Sequence, residues 1–205
     1  MRKEILTEEQ RKLLPLVSKF SRRFGLVGGT AIALHIGHRE SVDFDLFTIK
    51  NKSFNNNSIK RKILETNHID ETIVNKLGEF TFVISTVKFT FFHYFFEINF
   101  SEKFDGIIKM PNLLTLAAMK AHALGQRAKW KDYVDLYFII RDFYSINEIG
   151  EKAKQLFGSE FNEKMFKVQL GYFKDINYSE KIVYKKGFEV GDETIKKFLV
   201  EASLS

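Results

Sequence analysis

The strongest constraint on the fold is a diglycine followed at a short distance by two aspartates in an alternating segment. Gly28 and Gly29 follow an apolar pair, and Asp43 and Asp45 alternate with apolar residues across 42–46. Residues two apart on a strand point to the same side of the sheet. The pattern therefore predicts two strands, about 24–27 and 42–48, of which the second presents both carboxylates on one face.

The types of residue in this stretch favour a site for a metal ion and phosphates. Adjacent carboxylates repel each other unless a hard cation such as Mg²⁺ (or Mn²⁺) joins them through their oxygens, which makes Asp43 and Asp45 candidate metal ligands. Glycines let backbone N–H groups approach phosphates closely, and a helix that follows adds its favourable dipole. Gly28, Gly29 and Thr30 are therefore candidate phosphate-binding residues.

This stretch also resembles a known family. Gly28-Gly29 with Asp43-x-Asp45 is similar to the first motif of the DNA polymerase β-like nucleotidyltransferases. The fuller string G-G-T-A-x-A-L-x-x-G-H-R-x-S-x-D-x-D-L-F resembles the AbiEii/AbiGii toxin family in particular. The resemblance implies an α/β (α+β) fold, with a polymerase β-like mixed sheet, flanking helices and a helical C-terminal region. It also implies an Mg²⁺-dependent enzyme that uses an NTP. Arg39 and Ser41 flank the two aspartates, so they are candidates to support the aspartates or to contact phosphate.

The third carboxylate of such enzymes has no clear counterpart in this sequence. Residues 79–96 alternate strongly and predict two strands, about 80–86 and 88–95, joined by a tight turn. On the second strand Thr90 stands where an aspartate is expected, and Glu97 follows just beyond it. Because two-metal chemistry needs carboxylates that bridge both ions, this departure leaves open a module that binds nucleotide or RNA without turnover.

The sequence predicts two helices, about 111–127 and 131–143, and the stretch from Lys120 to Lys131 is basic. It contains Lys120, Arg127, Lys129 and Lys131 and no carboxylate. If the two helices were one continuous helix, Lys120, Arg127 and Lys131 would share a face and could clamp a triphosphate.

The same stretch extends the family resemblance through the string Lys131-Asp132-x-x-Asp135-Leu136. The resemblance implies that Lys120 contacts the phosphates of the nucleotide, and that Lys131, Asp132 and Asp135 lie near the site. The alternative for Lys131 and Asp135 is an ordinary ion pair one helical turn apart, which contributes only a few tenths of a kcal/mol.

Length and composition limit the remaining possibilities. The 205 residues suffice for a domain of about 1–105 that holds the nucleotidyltransferase sheet and a mainly helical domain of about 106–205. With no cysteine and no apolar run approaching the ~20 residues that cross a bilayer, a cytoplasmic chain without membrane contact is the simplest expectation. The net charge of +6 favours a polyanionic partner.

The resemblance implies a nucleotidyltransferase toxin of a bacterial toxin–antitoxin or phage-defence pair, and the basic charge agrees with it. By resemblance its acceptor is RNA, including tRNA, and its protein partner is a cognate antitoxin. Two alternatives stay open. One is a catalytically impaired nucleotide- or RNA-binding module with the same fold. The other is a small-molecule (antibiotic) nucleotidyltransferase, which the basic charge disfavours because aminoglycosides are cations.

Overall fold

A computed structural model describes residues 1–204 of the chain. These residues pack into two compact units, the first spanning Met1–Asn112 and the second beginning at Leu113. The division near 105 suggested by the sequence pattern falls inside the first unit, in a turn between two short strands. Across residues 1–204, none of the helices combines the length and apolarity that a bilayer span requires.

The N-terminal unit is built on a five-stranded mixed sheet with the strand order β1-β2-β5-β4-β3. Its strands are β1 (Phe24–Val27), β2 (Asp43–Thr48), β3 (Glu71–Lys76), β4 (Glu79–Ile84) and β5 (Val87–Phe92). Strands β2 and β5 are parallel, and the other neighbouring pairs are antiparallel. Two short strands, β6 (Glu102–Phe104) and β7 (Ile108–Met110), form a separate ribbon. The predicted mixed α/β fold is confirmed.

Three α-helices flank this sheet: α1 (Glu8–Ser18), α2 (Gly28–Ile36) and α3 (Asn56–Leu64). The sequence predicts a helix from Thr7, as N-cap, to about Phe20, and helix α1 begins there. The Thr7 side chain accepts from the Gln10 amide, and the Thr7 amide donates to the Gln10 side-chain oxygen. The sequence predicts a helix from Thr30 to about Ile36. Helix α2 begins two residues earlier, so both glycines belong to its first turn.

A phenylalanine core fixes which face of β2 is buried. Phe44 and Leu46 on β2 are fully buried, and the Phe44 ring packs 5.2 Å from that of Phe89 on β5. Phe89 in turn stacks on Phe82 of β4 at 5.3 Å. Because side chains alternate along a strand, burying this apolar set directs the intervening aspartates to the opposite face.

The C-terminal unit is helical, as the sequence predicts. Its helices are α4 (Leu113–Leu124), α5 (Trp130–Asp142), α6 (Ile146–Phe157), α7 (Glu163–Leu170) and α8 (Asp192–Ser203). The chain is not helical between α4 and α5, so the continuous helix that would align Lys120, Arg127 and Lys131 does not form. The sequence pattern predicts a helix over about 160–173. The structure has the shorter helix α7 there, after a 3₁₀ turn at Gly158–Glu160.

Candidate functional site

The two aspartates lie on the side of β2 opposite the phenylalanine core, and both are partly buried. Strand β1 pairs with β2 so that Val27 is opposite Asp45, which brings the start of α2 beside that carboxylate. A Cβ atom placed on Gly28 would lie 2.3 Å from Asp45 Oδ2, and Gly28 has a φ of +71°. Only glycine fits this position, because a side chain would both strain the backbone and overlap the carboxylate.

Gly29 lies against a second set of predicted site residues. A Cβ atom there would lie 2.6 Å from Arg39 Nη2 and 3.2 Å from Ser41 Oγ. The Thr30 hydroxyl is 2.9 Å from Ser41 Oγ and also contacts the carbonyl oxygen of Asp43. The side chains of Thr30, Arg39 and Ser41 are buried, so they hold the diglycine turn against the start of β2.

The first turn of α2 supplies backbone donors at this place. Helix α2 starts at Gly28, and within residues 1–204 no side chain caps it from its N-cap residue, Val27. The first amides of a helix have no partner inside the helix, and they carry the positive end of its dipole. An anion such as a phosphate is therefore favoured beside the diglycine, provided that a cation offsets its repulsion from the two aspartates.

Strand β5 brings two further side chains to the aspartates. In the parallel β2–β5 pairing, Asp43 is opposite Lys88 and Asp45 is opposite Thr90. Lys88 Nζ lies 2.8 Å from Asp43 Oδ2. Thr90 thus neighbours Asp45 on the next strand, whereas Glu97 is exposed and lies beyond the end of β5. Sequence reasoning missed Lys88, although its position two residues before Thr90 places it on the same strand face.

The donor set suits one divalent ion. Within the described part of the chain, no three His, Cys, Asp or Glu side chains are grouped to hold a metal. Mg²⁺ is commonly held by one or two carboxylates together with water and the phosphates of a substrate. Asp43 and Asp45, beside the backbone amides at the start of α2, fit that requirement.

In the C-terminal unit, Lys120 forms a buried ion cluster with two aspartates. Its Nζ lies 2.7 Å from Asp132 Oδ1 and 2.9 Å from Asp135 Oδ2. The Lys120 side chain is 6% exposed and both aspartate side chains are 0% exposed. Arg127 Nε is 3.6 Å from Asp132 Oδ2, with its own side chain 55% exposed. The motif residues of α4 and α5 therefore meet, although the helix between them is interrupted.

Lys131 belongs to a different cluster. Lys129 Nζ is 2.7 Å from Glu180 Oε1, and Lys131 contacts the other carboxylate oxygen. Burial alone raises the pKa of Glu180, but hydrogen bonds from Lys129 and Lys131 outweigh burial and lower the pKa to about 2. Glu180 comes from the irregular segment after α7, so the sequence around Lys131 gives no sign of this partner.

The fold of this chain is similar to solved structures of nucleotidyltransferases. The fold is similar to that of MenT4, a nucleotidyltransferase toxin from Mycobacterium tuberculosis H37Rv, with a TM-score of 0.62 and 11% identity over 95% of this chain and 80% of that one. It is also similar to JHP933 from Helicobacter pylori, with a TM-score of 0.54 and 16% identity over 97% of this chain and 92% of that one. The fold is thus that of nucleotidyltransferases.

The sequence then identifies the family. Residues 16–102 and 81–189 match the nucleotidyl transferase AbiEii toxin family of type IV toxin–antitoxin systems, and the chain belongs to that family. An uncharacterized protein of Aquifex aeolicus (strain VF5) is 33% identical over 175 residues, which cover 83% of this chain and 84% of that protein. Membership of the family implies an NTP substrate and a cognate antitoxin.

Proposed function

We propose that this protein is a Mg²⁺-dependent toxin that transfers a nucleotide from an NTP to RNA, with tRNA among the acceptors. One observation supports this most directly: Asp45, paired in register beside Val27, lies against Gly28, the first residue of α2. This arrangement sets two carboxylates for a cation beside amides for phosphate, and an NTP bound to Mg²⁺ carries both groups.

These positions support the following reaction. An acceptor hydroxyl oxygen forms a bond to the α-phosphorus and its proton passes to water. The bond from the α-phosphorus to the bridging oxygen breaks, and pyrophosphate leaves with that electron pair. Asp43 and Asp45 would hold the Mg²⁺, which when bound offsets charge on the phosphates. The amides of Gly28 and Gly29 orient the phosphate chain, and Arg39 and Ser41 keep those amides in place. Such catalysis is mainly positioning and electrostatics.

In this scheme, contact of Lys120 and Lys131 with the nucleotide remains a prediction. The contacts of Lys120 with two buried aspartates give it a structural role that is independent of any nucleotide. Lys131 is engaged by Glu180. An effect of either residue on transfer therefore has to be separated from an effect on stability.

A cationic surface on the N-terminal unit supports a polyanionic acceptor. Between Leu46 and Leu64 the chain has five cations and no carboxylate. The basic face, as we define it, comprises exposed side chains on α3, on the loop before it and on the turn after α1. Its members are Arg22, Arg23, Lys50, Lys52, Lys60, Arg61 and Lys62.

Contacts within the unit hold the basic face together. Arg23 Nη2 donates to the Ser53 carbonyl at 3.3 Å, which ties the turn after α1 to the loop before α3. Lys62 Nζ donates to the Lys19 carbonyl at 2.7 Å, which ties α3 to the end of α1. Arg23 and Arg61 each border an open groove lined largely by asparagine and serine. Exposed cations beside polar donors suit the phosphates and sugars of RNA.

Reversing charge on this face is expected to weaken RNA binding. The triple variant Lys50→Glu/Lys60→Glu/Arg61→Glu should bind total tRNA at least about tenfold more weakly at moderate salt. The slope of log K against log salt should fall by about two to three, since each lost phosphate contact removes roughly one unit. Filter binding over a salt series measures both quantities.

A matched variant controls for net charge alone. Lys154→Glu/Lys181→Glu/Lys186→Glu makes the same change in net charge on exposed positions of the C-terminal unit. Its RNA affinity and salt slope should stay close to the wild type. Equal loss in both variants would contradict a localised RNA-binding face.

The function itself is tested by following label from each of the four α-³²P-labelled NTPs, with Mg²⁺, into total RNA, total protein and an aminoglycoside. We expect label in RNA, with Asp43→Asn/Asp45→Asn protein as the background. Label in protein or in the aminoglycoside would keep the transferase and overturn the RNA acceptor. Absence of label from every acceptor, in protein that still binds NTP, would favour the binding module, for which Thr90 is the specific observation.

A further inference from the structure

We propose that this centre works with a single divalent ion and that Lys88 supplies the second positive charge that another ion provides where a third carboxylate is present. The inference rests on the proposed function, because it concerns the same aspartates. It assigns Lys88 a catalytic role and explains how a site with Thr90 in place of a carboxylate can be active.

The first support is the register between β2 and β5. Asp43 is opposite Lys88, and Asp45 is opposite Thr90. Lys88 and Thr90 are two residues apart on a strand, so both side chains lie on the same sheet face as the aspartates. Lys88 Nζ is 2.8 Å from Asp43 Oδ2, close enough for a charge-assisted hydrogen bond.

The second support is the surroundings of this ion pair. The Asp43 side chain is 16% exposed and that of Lys88 is 35% exposed. Partial burial strengthens the interaction over that of an exposed pair, while the remaining exposure lets the ammonium group reach a bound substrate. Strand β5 is central, with β2 and β4 on either side, so the backbone that carries Lys88 is fixed.

The third support is the chemistry of Thr90. A threonine hydroxyl is neutral, and it cannot replace a carboxylate that bridges two divalent ions. Three carboxylates with two divalent ions leave one net positive charge in a site. Two carboxylates with one divalent ion and one ammonium leave the same charge, so Lys88 compensates electrostatically for the loss at position 90.

The arrangement also predicts competition between Lys88 and the metal. In this structure the Lys88 ammonium group forms an ion pair with one oxygen of Asp43. A cation that approaches both aspartates is repelled by Lys88 and must share Asp43 with it. Lys88 should therefore weaken metal binding while it strengthens transfer, and a residue with a merely structural role would not show these opposite effects.

The number of ions tests the first half of the proposal. Bound Mn²⁺ is counted by electron paramagnetic resonance in whole protein saturated with a non-hydrolysable ATP analogue, with Asp43→Asn/Asp45→Asn protein as the background. We expect one site-specific Mn²⁺ per chain in the wild type and two in Thr90→Asp. Two ions in the wild type, or no gain in Thr90→Asp, would overturn the proposal.

Substitution of Lys88 tests the second half. In Lys88→Met, without nucleotide, we expect Mn²⁺ to bind about three- to tenfold more tightly, whereas transfer falls about 10²-fold, as for loss of one electrostatic donor. Lys88→Arg keeps the charge and should recover much of the transfer. Lys109→Met removes an exposed lysine from β7 in the same unit and should change neither quantity.

The outcomes separate this inference from the function on which it rests. If Asp43→Asn/Asp45→Asn abolishes transfer but Lys88→Met alters neither transfer nor Mn²⁺ affinity, the nucleotidyltransferase stands and the role of Lys88 falls. If transfer is absent even in the wild type, the Mn²⁺ count and affinity still decide whether Lys88 competes for Asp43.

Discussion

Replacing Asp43 and Asp45 together by asparagine is expected to lower nucleotide transfer by at least about 10³-fold and to leave the N-terminal unit folded. Asparagine has the size of aspartate, and its carbonyl oxygen still accepts hydrogen bonds. The neutral pair, however, can neither hold Mg²⁺ firmly nor offset its charge. Loss of electrostatic stabilisation at a reacting phosphate costs several kcal/mol of barrier, and each 1.36 kcal/mol is about tenfold in rate.

The fold should tolerate this change because the aspartates face away from the phenylalanine core. Phe44 and Leu46, between and after them, make the buried contacts of β2 and are unchanged. Labelled-NMP transfer and far-ultraviolet circular dichroism are measured on the same samples. Asp70→Asn/Asp105→Asn, two exposed carboxylates of the same unit, is the matched control and should retain full transfer. Transfer above about a tenth of wild type in the Asp43/Asp45 variant would contradict a metal role for the pair.

Local patterns predicted the parts of the fold that local physics decides. Thr7 caps α1 as expected, since capping depends on residues three apart in the chain. The alternation across 42–46 correctly predicts which face of β2 is buried, since side chains alternate between the two faces along a strand. Strand β3 was missed because it is an edge strand with nearly every residue exposed, and it therefore lacks the alternation by which strands are recognised.

The candidate site was predictable where it is contiguous in sequence. Gly28 to Asp45 meet through one strand–helix–strand unit, so their spacing already implies their proximity. The partners Lys88 and Glu180 come from segments far along the chain, and only strand pairing and loop packing bring them to Asp43 and Lys131. The charges along α4 and α5 suggest one continuous helix only if they are considered alone. Gly125 directly follows the last residue of α4, and because glycine is typical of a helix end, the break between the two helices does have a local signal.

Lys120→Met is expected to destabilise the C-terminal unit by about 3–5 kcal/mol. The variant leaves Asp132 and Asp135 fully buried without the cation that both contact, and removing one partner from a buried ionic cluster costs this much. Arg127 remains 3.6 Å from Asp132, but its side chain is mostly exposed and replaces little of the lost interaction. Trp130, the single tryptophan, lies buried at the start of α5, so its fluorescence in urea reports on this unit.

A companion variant separates the stability of Lys120 from its predicted contact with the nucleotide. In Lys120→Met/Asp132→Asn/Asp135→Asn the charges are removed together, so most of the lost stability should return, because neutral replacement of a whole buried cluster is often tolerated. Lys120→Met with wild-type stability would contradict the buried cluster as a stabilising element. If the triple variant is stable and inactive, the three charged residues serve transfer as well as folding. If it is stable and transfers nucleotide normally, their role is structural, and the chemistry resides in the N-terminal unit around Asp43 and Asp45.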